Sequence, residues 1–195
     1  METETQITRR AHAPSLKLSL THGGELTLET STSDSEELRF GLVTIWRTTE
    51  TTMRNLALGG KAVQSTTNSG LGVAQNAIDG NRQSIHALGS CSVTNGDKDP
   101  WWRVDLLDVY RVTRVSITNR GDCCEKRIEG IQIRIGNSLE NNGNNNQAAT
   151  VGPIPLGDTK TFEFKPVSGR YINLIVPGRN EYLTLCEVEV YAGER

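Results

Sequence analysis

The densest chemistry in the sequence lies in TNRGDCCEKRIEG, residues 118–130. There Arg120 and Arg127 stand seven positions apart, with Asp122 and the adjacent pair Cys123-Cys124 between them. An arginine side chain only donates hydrogen bonds, and it does so from a planar fork. Asp122 is near enough in sequence to hold one guanidinium and to offset the repulsion between the two. Neighbouring Cα atoms lie about 3.8 Å apart across a trans peptide, below the roughly 4.4–6.8 Å of an ordinary disulfide. A bond between Cys123 and Cys124 would therefore close a tight eight-membered ring, presenting polarizable sulfur as a small, rigid, apolar plate. Donors beside such a plate suit a neutral sugar, whose oxygens accept hydrogen bonds and whose C–H face packs on sulfur. A phosphate or carboxylate would also suit two arginines, so this chemistry leaves sugar and anion both open. The letters R-G-D spell an adhesion tripeptide as well, but adhesion needs a mobile loop, and here they abut a rigid ring and a strand.

A second cluster lies in NAIDGNRQSIHALGSCS, residues 76–92, where Asn76, Asp79 and Asn81 surround Gly80. Glycine permits a tight turn, and hard oxygen donors suit Ca²⁺. The same residues also fit an Asx-rich turn that satisfies its own backbone, and the order of residues is not that of an EF-hand. Cys91 and Cys186 stand 95 positions apart. A bridge between them would close a long loop, worth about 4–5 kcal/mol in loop-entropy terms, and would bring Glu187 beside Ser90. Two buried thiols are the alternative.

These residues must be positioned by β-structure. Short β-branched runs recur at 101–107, 112–119, 128–136, 159–164, 170–176 and 185–191, separated by turn-rich segments such as the Asn-rich 137–147. No amphipathic helix of three turns is visible. Many short strands at this spacing predict an all-β sandwich or jelly roll over 55–195. Residues 1–54 read differently: a polar start, a hairpin of 16–20 and 26–30 with Gly23-Gly24 at its tip, a strand-like run at 38–46, and a linker. They predict a short β-rich extension rather than an independent core.

Composition narrows the function. A formal net charge of −2 over 195 residues gives no global electrostatic case for nucleic acid or membrane binding, and no apolar run reaches 18 residues. The first residues lack an apolar h-region and do not read as a secretory signal, whereas four cysteines suit an oxidising compartment. No G-x-S-x-G, H-E-x-x-H, G-x-G-x-x-G or P-loop pattern occurs, and zinc-ligand spacing is absent. Asp79, Asp122 and Glu187 could serve as acids or bases, but a binding module is the better reading than an enzyme.

Together, NAIDGNR (76–82), GSC (89–91), PWWRVDLL (100–107), TNRGDCCEKRI (118–128) and LCEVEV (185–190) resemble the F-type lectins, a fucose-binding family, over about 140 residues. The resemblance implies a discoidin-like jelly-roll β-sandwich. It implies that Arg120 and Arg127 bond fucose oxygens, that Asp122 orients them, and that the sugar packs on a Cys123–Cys124 disulfide. It implies a Cys91–Cys186 disulfide and a structural Ca²⁺ held by Asn76, Asp79, Asn81, Ser90, the Cys186 carbonyl and Glu187. It further implies a secreted protein, trimeric in the family, that reads fucosylated glycans in innate recognition. In two respects the sequence departs from the family pattern: a further disulfide that some members carry has no cysteines here, and one sugar contact is changed. The family carries a sugar-binding His where Val93 stands here, and Val93 donates nothing; His86, in the same loop, is the candidate substitute. A discoidin-like module with altered specificity, for another sugar or a protein, is the alternative.

Overall fold

The structure is a computed structural model. It describes the strands Ser15–Leu20 and Leu26–Ser31, then residues 53–143, 146 and 149–193. The chain divides into two compact units, Met1–Thr51 and Thr52–Arg195. In the first, β1 (Ser15–Leu20) and β2 (Leu26–Ser31) pair antiparallel, with Leu18 opposite Leu28. This is the hairpin expected from its alternating residues. The glycines at its tip and the strand-like run at 38–46 lie outside the described residues.

The second unit is all-β, with short 3₁₀ turns and no α-helix among its described residues. Its spine is β6 (Trp101–Thr118), paired antiparallel along its length with β9 (Thr159–Ile175). Two pairs of runs that read as separate strands in the sequence are thus fused into two long ones. The joints are irregularities. Leu107 adopts φ 69°, and its N–H donates to Asp105 Oδ1 at 2.8 Å. Pro166, which has no N–H to give a ladder, falls between the paired residues Glu163 and Val167, where the β6–β9 register shifts. These kinks let one strand serve two neighbours on the same side. Its first half pairs with β3 (Lys61–Gln64), and its second with β12 (Glu187–Ala192). β7 (Gln132–Gly136) and β8 (Ala149–Thr150) extend the sheet beyond β9, in the order β12-β6-β9-β7-β8.

Alternation decides which face is buried. On β6, Trp102, Val104 and Leu106 point inward, and Ile133, Ile135, Ile172 and Leu174 join them from β7 and β9. Trp102 is fully buried, and its indole N–H donates to the Ala74 carbonyl at 2.9 Å. Truncating such a residue to alanine costs about 3–5 kcal/mol. The run at 185–191 is split at Cys186: β11 (Thr184–Leu185) pairs with β4 (Ser92–Val93), while β12 joins the large sheet. A further ladder joins β5 (Asp97–Lys98) to β10 (Asn180–Glu181). Both small ladders are continuous with the loops that carry the candidate site residues.

Candidate functional site

The segment after β6 is anchored by an asparagine. Asn119 is buried, and its Nδ2 donates to the Ile154 carbonyl at 2.7 Å and the Glu125 carbonyl at 3.2 Å. Its Oδ1 accepts the Arg120 N–H at 2.8 Å. One amide thus joins both ends of the 120–125 loop to a second segment. Gly121 follows, and its N–H donates to the Ser84 carbonyl at 2.8 Å. A Cβ there would run into Ser84 Oγ and come within 3.3 Å of Gly157 Cα, so only glycine fits this crossing of loops.

Arg120 is already paired. Its Nε and Nη2 donate to the two oxygens of Asp122 at 2.5 and 3.0 Å, and both side chains are largely shielded from water. The Arg120 bond holds the Asp122 carboxyl below its ordinary range, with only modest desolvation opposing it. Among the described residues, Nη1 of Arg120 has no hydrogen-bond partner. Cys123 and Cys124 form a disulfide, half-exposed. Cys124 sits in the left-handed region at φ 68° and opens the 3₁₀ turn Glu125–Ile128. That turn presents Arg127, whose guanidinium lies 4.6 Å from the Tyr182 ring centroid, with its Nε 3.7 Å from Glu181 Oε1.

His86 begins the 3₁₀ turn His86–Leu88, which ends at Gly89 with φ 72°. Its Nδ1 is buried without a partner. Burial lowers its pKa first, and the Arg120 charge lowers it further against a smaller opposing effect of Asp122, so the ring is neutral at neutral pH. His86 is thus within electrostatic reach of the Arg120–Asp122 pair. Val93 is not in a comparable position. It is buried in β4, opposite Thr184, with its side chain against Gly72 and its carbonyl accepting from Asn68 and Gln64.

The second cluster is organised around Glu187, which is fully buried. Its Oε1 accepts the Gly80 N–H at 3.2 Å, where Gly80 has φ 84°, and its Oε2 has no partner among the described residues. Burial raises its pKa to about 8, and the Asp79 charge adds to this against the Gly80 bond. Arg82 cannot supply the missing cation, because it forks onto Glu189. The disulfide Cys91–Cys186 ties Ser90 to Glu187 through the chain. Ser90 Oγ donates to the Ile85 carbonyl at 2.8 Å, and Asn76 Nδ2 to the carbonyls of Leu71 and Cys91. Asp79 and Asn81 accept N–H groups of their own loop, from Asn81 and Gln83, so the Asx-turn reading is also realised. Among the described residues no three His, Cys, Asp or Glu side chains gather as a metal cluster. The set here has two carboxylates, and its other donors are amide, hydroxyl and carbonyl oxygens. An orphaned, buried carboxylate oxygen within electrostatic reach of the Asp79 carboxylate fits a hard cation such as Ca²⁺.

Asn119, Ser84, Glu181 and Tyr182 were not singled out from the sequence. Asn119 carried a faint signal, a polar residue ending an apolar alternation. The others lie some 36 to 62 positions from Arg120 and carried none.

The sandwich and its loop-borne polar site define the class, a carbohydrate-module type of β-domain: residues 76–174 match the family described as NedA-like, galactose-binding domain. Fucolectin-5 of Anguilla japonica is 54% identical over 147 residues, covering 72% of this chain and 77% of the relative. The chain belongs to the fucolectin family, the F-type lectins. A solved fucolectin from striped bass (Morone saxatilis) serum is 51% identical with a TM-score of 0.70; it covers 73% of this chain, which spans only 48% of that longer protein. A Streptococcus pneumoniae fucose binding module is 29% identical with a TM-score of 0.63, covering 72% of this chain and 96% of the module.

Proposed function

We propose that this chain is a non-enzymatic lectin that binds terminal L-fucose on glycans at Arg120, Arg127 and the Cys123–Cys124 plate. The observation that carries the reading is Arg120 locked on Asp122 beside that disulfide. The pairing spends two donors and half the site's charge, leaving directed N–H groups for neutral acceptors rather than a bare cationic patch for an anion. The remaining donors of Arg120 and Arg127 point at hydroxyl and ring oxygens, the sulfurs take the apolar face of the sugar, and neutral His86 supplies a donor or acceptor from the facing loop. The relatives named as a fucolectin and as a fucose binding module support fucose as the sugar.

Asp79 and Glu187, with oxygens of Asn76, Asn81 and Ser90 and the Cys186 carbonyl, would hold a structural Ca²⁺. When bound, the ion neutralises two carboxylates. The chain's own part is to fix the 79–90 loop, which carries Ser84 under Gly121 and His86 beside Arg120. Recognition of fucose on microbial or host surfaces outside the cell, strengthened by assembly into an oligomer, is the corresponding biological reading.

A glycan array read with calcium and then with EDTA tests this. Fucosylated hits that vanish on chelation are expected; an array blank under calcium sinks the reading. The buried, apolar Val93 favours a second reading, a module of altered specificity, for which the array would show non-fucosylated hits.

A further inference from the structure

We infer that the turn at residues 177–183 is a positioning device for Arg127, with Tyr182 as its principal part; the inference rests on the fucose reading. Arg127 has a different kind of support from Arg120. Among the described residues its side chain has no hydrogen-bonded oxygen to fix the guanidinium; the carboxylate of Glu181 stands 3.7 Å from Nε and is shared with Arg179 Nε at 3.8 Å. What fixes its plane is the Tyr182 ring, 4.6 Å away by centroid. A guanidinium stacked on an aromatic face keeps its edge donors free.

The turn that carries Tyr182 is itself clamped to the backbone of the Arg127 turn. Arg179 Nη2 donates to the carbonyls of Arg127 at 3.2 Å and Glu129 at 2.7 Å. The Tyr182 N–H donates to Glu181 Oε1 at 2.9 Å, which sets the carboxylate toward both arginines. The Tyr182 ring also lies against Gly96. A Cβ at Gly96 would stand 2.8 Å from Cε2, 3.0 Å from Cζ and 3.3 Å from the hydroxyl. Gly96 directly precedes β5, whose partner β10 contains Glu181. Arg127 is thus held face-on by Tyr182, edge-on by Glu181 and from beneath by Arg179. Its Nη1 and Nη2 make no hydrogen bond to a described residue, which leaves them for the ligand.

The test combines fucose titration with the Arg127 Nε–H proton resonance in the free protein, assigned by its loss in Arg127→Lys. Under the Tyr182 ring that proton resonates upfield. It should move downfield in Tyr182→Ala and hold its place in Tyr182→Phe. Fucose binding should weaken about three- to tenfold in Tyr182→Ala, recover to within twofold of wild type in Tyr182→Phe, and weaken again in Gly96→Ala, where the ring is pushed off. Thermal melts identify any variant that fails to fold, and the Phe variant then decides. Binding with an unshifted resonance, or a Tyr182→Ala affinity within twofold of wild type, overturns this inference alone. No fucose binding by the wild type overturns the fucose reading, and this role with it.

Discussion

Arg120 and Asp122 are two residues apart, and their doubly bonded pair gives the proposed sugar site a definite pH signature. A depressed carboxyl stays ionised above its ordinary value of 3.8 and is lost only as pH falls through the lower folded value. Fucose affinity should therefore be flat from neutral pH down to the ordinary carboxylate range and fall below it. His86, its pKa lowered by burial and by the Arg120 charge, takes up its proton only below its ordinary value of 6.5, so the Asp122 profile is read in His86→Ala. Asp122→Asn removes one of the two bonds and the charge. It should weaken binding by roughly 5- to 150-fold, on the order of 1–3 kcal/mol, as isothermal titration would read. Glu187 makes a separate prediction. A carboxylate with an orphaned buried oxygen opposes folding until a cation meets it, so calcium should raise the melting temperature by several degrees. Glu187→Gln should abolish that rise without lowering the melting temperature in EDTA. A calcium response equal to wild type would remove Glu187 from the ion site.

At the scale of loops and turns, the R-G-D letters take a plain structural meaning. Gly121 sits where the Ser84 and Gly157 backbones cross it, and Asp122 is occupied by Arg120. An adhesion motif needs a free carboxylate on a mobile loop; here both conditions fail. Gly121→Ala should cost about 1–3 kcal/mol through overpacking, and Ser84→Gly added to it should recover part of that loss, because the first atom in the way is Ser84 Oγ. Denaturant unfolding of the wild type and these two variants checks this, and equal stabilities would overturn the account of the crossing. The sequence made the 120–127 segment legible because its chemistry is local: arginines, acid and cysteines fall within one turn. It made Tyr182 and Glu181 illegible, because their partner Arg127 is more than fifty positions away, and the bonds from Arg179 to the Arg127 and Glu129 carbonyls that join the two turns leave no mark in the sequence.

At the scale of the molecule, the sandwich was readable from alternation, and the strand count was not. Kinks at Leu107 and near Pro166 join runs that look separate, because a bulge preserves pairing while breaking the period of two. The short ladders β4–β11 and β5–β10 are two residues long and carry no periodicity at all. They matter nonetheless, since they dock the loop around Ser90 and the turn around Tyr182 against the sheet. Val93 shows the limit of position-by-position inference. It occupies the place of a ligand-binding residue in the sequence pattern, yet its side chain belongs to the packed interior.

Residues 83–88, 120–127 and 177–182 supply nearly every group assigned to the sugar side, and none of them is buried. The posts at their ends are buried: Asn119, Ile128 and Leu183. Folding and recognition thus draw on different residues. Replacements along the rim leave the packed interior untouched, so taste for one glycan or another can drift quickly while the sandwich stays the same. A library randomised over those three segments, with Ser84, Gly121 and the Cys123–Cys124 pair kept, should yield mostly folded proteins with divergent glycan preferences.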